Sequence, residues 1–100
     1  MTTEAFKASL ADEEPRPGMP APLAALWWDA KGDWSRAHEL VNELETRDAM
    51  AVHAYLHRKE GSAANAGYWY ERCGSNLKHL PLEAEWAELV AKMVSRANKP

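Results

Sequence analysis

The sequence predicts an all-α protein: two antiparallel helical hairpins closed by a C-terminal capping helix, with an extended, proline-rich arm in front. Two observations carry this. The stretch WDAKGDWSRA, Trp28 to Ala37, returns as HRKEGSAANA, His57 to Ala66. Each copy is a helical run halted by Gly, restarted behind Asp or Ser, with Ala one turn later, which describes two helices folded closely on one another. The second observation is tryptophan: five in 100 residues are enough for a few large rings to supply most of a modest core. The length accommodates one domain, expected over residues 22–100, with residues 1–21 as the arm.

In chain order, Thr3 is expected to cap a short helix over Glu4 to Ala11, whose Phe6 and Leu10 lie four apart and clip onto the body. Asp12 to Pro22 contains four prolines and a glycine, a composition that resists helix and reads as extended. The first long helix runs from about Pro22 to Lys31, with proline tolerated in its first turn and Gly32 stopping it. Asp33 caps a second, from Trp34 to about Glu45, whose inward stripe is Trp34, Ala37, Val41 and Leu44. A turn at Thr46 or Arg47 leads to a third helix, Asp48 to Glu60, with Met50, His53, Ala54 and His57 as its stripe. Gly61 ends it and Ser62 caps a fourth, which carries Ala63, Ala66, Tyr70 and Cys73 inward until Gly74. Gly67 lies inside that helix at a cost of about 1 kcal/mol against alanine, so a close backbone, ligand or water is expected beside it. The last helix begins near Pro81, with the stripe Leu82, Trp86, Leu89, Val90, Met93 and Ala97. Its early Glu83, Glu85 and Glu88 and late Lys92, Arg96 and Lys99 complement the helix dipole.

The formal charge of −3 argues against general affinity for nucleic acid or anionic membranes. A lone Cys73 allows no internal disulfide and is expected in the core, and a reducing, cytoplasmic setting follows. The first twenty residues mix charges with no apolar run, so neither a secretory signal nor a membrane span is expected.

The segment Gly32-Asp33-Trp34-x-x-Ala37, preceded by Trp28 and followed by Val41 and Leu44, resembles the tetratricopeptide repeat and related Sel1-like helical hairpins. In the second copy Gly61, Ala66, Tyr70 and Cys73 fit, whereas Ala63 replaces an aromatic, and Gly32 to Gly61 is a shorter pitch than that family's. The run LWWDAKGDW with HAYLHRKEG and YWYERCG is also similar to a group of short bacterial proteins. The tetratricopeptide resemblance implies a non-enzymatic module that binds a protein, a peptide or its own copy in a groove, here Leu26, Asp29, Tyr55, Arg58 and Lys59. Arg58 and Lys59 would favour an acidic partner. Two repeats are few for a free-standing stack, so the last helix caps it or a second subunit extends it as a homodimer.

One cluster carries chemistry of a different class. His53 and His57, four apart, share a helix face at the spacing a metal ion needs. Folding back about a turn near Arg47 brings His38 level with residue 56, so three histidines converge, with Glu39 and Glu60 nearby. Two readings stand: a divalent-metal or small-molecule site at His38, His53 and His57, or a polar core in which each imidazole is hydrogen-bonded. His38-Glu39 begins like a zinc-protease motif, but Asn42 stands where the second histidine belongs. No catalytic signature and no phosphate loop is present, and no cofactor beyond that metal is expected. Trp27, Tyr55, Tyr68 and Trp69 fall off the main stripes, with Tyr55 expected to be the exposed one.

Overall fold

The computed structural model describes residues 1–98, which form six α-helices and two short 3-10 turns and contain no strand. Helix α1, Thr3–Ala8, starts one residue earlier than the sequence suggests, because the Thr2 hydroxyl, not that of Thr3, accepts the Ala5 N–H at 3.0 Å. It tightens into a 3-10 turn, Ser9–Ala11. This segment is joined to the rest: Phe6 is fully buried, the Trp27 indole N–H donates to Ser9 Oγ at 3.0 Å, and Lys31 Nζ donates to the carbonyls of Leu10 and Asp12.

Helix α2, Ala21–Ala30, has Pro22 in its first turn and is buried at Leu23, Ala24, Ala25, Leu26, Trp27 and Asp29. Gly32 ends it in the left-handed region, φ +87°, where a Cβ would be strained. Asp33 then caps α3, Trp34–Val41, accepting the Arg36 N–H at 3.0 Å. Helix α3 is a turn shorter than its periodicity predicts, and Leu44 is exposed instead of buried. The reason is local: the Thr46 hydroxyl accepts the Ala49 N–H at 3.2 Å, so the next helix captures the chain at once.

Helix α4, Arg47–Glu60, is the centre of the molecule, packed by α2, α3, α5 and α6 and buried without a break from Ala49 to His57. That crowding explains why residues off its expected stripe, Tyr55 among them, are also covered. Gly61, φ +91°, turns the chain into α5, Ala63–Cys73. Ala66, Tyr70 and Cys73 face inward as expected, but Ala63 is exposed in the first turn. Gly67 has nothing within 4 Å of where a Cβ would stand, so the close neighbour expected there is absent and open space lies beside it. After a 3-10 turn, Leu77–His79, helix α6, Leu82–Ala97, lies across α2 and α4. Leu89, Val90, Met93 and Val94 are buried while Ala97 is exposed.

Close pairs fix the direction of α3 against α4. Trp34 Nε1 donates to Leu56 O, and His38 meets His53: numbers rise on one helix as they fall on the other, so the two run antiparallel. None of the described helices is long and apolar enough to cross a membrane.

Candidate metal centre

The α3–α4 contact brings His38, His53 and His57 together. Their ring centroids are 4.8 Å (His38 to His53), 4.8 Å (His53 to His57) and 5.1 Å (His38 to His57) apart. One nitrogen from each ring lies within 4.8 Å of the other two. His38 and His53 are closest, Nε2 to Nε2 at 3.1 Å. Folding back about a turn near Arg47 set His38 beside residue 56; the actual partner is His53, one helical turn away and on the same face. His53 is 3 % and His57 9 % exposed, while His38 is half-buried.

Each ring has a specific support. His57 Nδ1 hydrogen-bonds Glu60 Oε1 at 2.7 Å, so its Nδ1 carries the proton and Nε2 keeps a free lone pair. The indole of Trp34 stacks on His38 at 4.9 Å with 8° between planes, and its N–H is anchored to Leu56 O at 2.8 Å. Trp69 stacks on His53 at 4.2 Å and 23°. His53 Nδ1 is buried with no hydrogen-bond partner. Glu39 is exposed and joins none of this.

The surroundings of His53 and His38 favour the neutral imidazole. Burial first, and then the neighbouring His38 and His57, push the His53 pKa from 6.5 down to about 4. His38 is lowered by burial and by His57, against a smaller opposing pull from Glu60. A neutral imidazole is the form that binds a metal ion, because its lone pair is free. Two nitrogens each 2.0–2.1 Å from one tetrahedral ion stand about 3.3 Å apart, close to the His38–His53 separation of 3.1 Å.

The groove residues are placed differently. Leu26 is completely buried and Tyr55, expected to be exposed, is 3 % exposed; its hydroxyl donates to Asp29 Oδ2 at 2.8 Å. Burial, then the Asp29 charge and this hydrogen bond, raise the Tyr55 pKa well above its usual range. Lys59 Nζ donates to the other oxygen, Asp29 Oδ1, at 2.9 Å. Arg58 turns to Glu85. Asp29, Tyr55 and Lys59 still line one side of an open groove of about 370 Å³, with Ala30, Leu82, Glu83 and Trp86; Leu26 and Arg58 do not. The exposed ring among those off the stripes is Tyr68, at 56 %.

Sequence reasoning missed two features. Glu85, assigned to the α6 dipole, is fully buried and accepts from Arg58 Nη1 at 2.7 Å and Tyr70 Oη at 2.6 Å. The signal was present: Glu85 is three residues after Leu82 and four before Leu89, on the apolar stripe. The two indoles over the histidines were the other; Trp34 lies four residues before His38, so its proximity is readable, whereas Trp69 depends on the α4–α5 register. Comparisons with protein-family models, with curated proteins and with solved structures return no match to this chain.

Proposed function

We propose that this protein binds one divalent transition-metal ion, zinc or an ion of similar preference, through His38, His53 and His57, with Glu60 orienting His57. The supporting observation is the convergence itself: two Nε2 atoms 3.1 Å apart, one of them on a histidine 3 % exposed, beside a third ring whose Nδ1 is held by a carboxylate. A polar core accounts for the arrangement less well. It gives the three clustered rings only one hydrogen bond to each other, His38 to His53, with His57 directed to Glu60 instead. All-imidazole donors suit zinc, copper and nickel. Calorimetric titration of untagged protein with Zn²⁺ tests the reading. One equivalent should bind, and at 100 times Kd the fold should gain about 2.7 kcal/mol. No heat and an unmoved Tm would reject it.

A second reading, an interaction module for a protein, a peptide or a second copy, draws support from the groove beside Asp29, Tyr55 and Lys59. Replacement of groove-lining Trp86 by Ala, with self-association and captured partners compared against the parent chain, tests it; no change in either would reject it.

A further inference from the structure

We propose that the ion held by these histidines keeps one coordination position for a small anionic ligand from solution. The inference rests on the metal reading above and adds the class of molecule the site takes. A tetrahedral ion needs four donors; structural sites draw all four from protein, whereas sites with three protein donors take water or a substrate in the fourth place.

Among the described residues, the metal-capable group here comprises three histidines and no fourth donor. The carboxylate beside them is already engaged. Glu60 accepts from His57 Nδ1 at 2.7 Å. The indoles of Trp34 and Trp69 cover His38 and His53 with rings that offer no lone pair, and the Trp34 N–H is already donated to Leu56 O.

Charge selects the ligand. A divalent ion, three neutral imidazoles and one carboxylate sum to a net positive site, and burial keeps that charge poorly screened, so a monoanion completes it better than a neutral donor. Access limits its size. His53 is 3 % exposed and closed over by Trp69, while half-buried His38 and the partly exposed Glu60 form the rim. The ligand therefore reaches the ion past the His38–Glu60 edge, which fits hydroxide, azide or a single carboxylate oxygen.

Cobalt(II) in place of zinc makes the coordination visible. Untagged full-length chain titrated with Co²⁺ should develop visible d–d bands that saturate at one equivalent and are lost in His57→Ala. The more conservative Glu60→Gln, which keeps the fold, should bind Co²⁺ 10- to 100-fold more weakly. Sodium azide added to the loaded protein should shift those bands saturably, with the sedimentation of the chain unchanged by loading. If the bands form at one equivalent but azide leaves them unchanged, the open position is refuted and the metal site stands. If loading with Co²⁺ produces a dimer, the fourth donor comes from a second copy and the inference also fails. If no bands form, the metal reading itself falls.

Discussion

Removing the guanidinium of Arg58 should destabilise the fold by about 3 kcal/mol. Glu85 has no exposed surface, and its two oxygens are taken by Arg58 Nη1 at 2.7 Å and Tyr70 Oη at 2.6 Å. In Arg58→Ala the carboxylate stays buried with a single donor. Breaking a buried pair from one side typically costs about 3–5 kcal/mol, and the lower end applies because the Arg58 side chain is 28 % exposed, so water reaches the vacated place. For a domain of this size that is a Tm loss of about 12–24 °C, a large share of the roughly 5–15 kcal/mol that holds a domain folded. Urea unfolding followed by far-UV circular dichroism, with the slope compared between variants, gives the number directly. Replacing both partners with methionine together with Tyr70→Phe should recover most of the loss, since the apolar set carries no desolvation penalty and leaves no buried hydroxyl unpartnered. A loss under about 1 kcal/mol in Arg58→Ala at unchanged slope would refute the reasoning, and would return Arg58 to the surface role its sequence position suggested.

The metal reading predicts that saturating Zn²⁺ raises the Tm of the parent chain and leaves that of His57→Ala unmoved; equal shifts in both would place the ion elsewhere. Stability should depend on pH through His53. Its folded pKa, about 4, lies below the unfolded 6.5, so the unfolded chain binds more protons between those values, and stability is complete above pH 6.5 and lost as pH falls through 4. The gap corresponds to at most about 3 kcal/mol; urea midpoints at pH 7, 5.5 and 4.5 for the parent and His53→Gln should diverge on acidification, and parallel curves would exclude this origin. Gly67→Ala should stabilise by about 1 kcal/mol, because the position is helical and a Cβ meets nothing within 4 Å; a lower melting temperature would refute the open space beside it.

The helix boundaries at the two repeated glycines were legible because they are written in local chemistry. Gly32 and Gly61 adopt the left-handed backbone that the repeated phrase requires, and Asp33 caps as its position suggests. The histidine cluster was legible because helical spacing and one reversal of direction suffice to place three rings. What escaped was three-dimensional. Tyr55, Asp29 and Glu85 look like surface chemistry in one dimension, and only the central position of α4 with α6 lying across it shows that Tyr55 pairs with Asp29, and Glu85 with Tyr70 and Arg58, inside.

The two indoles stacked on His38 and His53 give the molecule a built-in optical gauge. Trp27 and Trp28 pack against each other and Trp86 against Phe6, away from the imidazoles. A proton or an ion arriving at the three rings therefore perturbs the emission of two tryptophans out of five. Occupancy becomes readable in native protein by quenching alone, with no label attached.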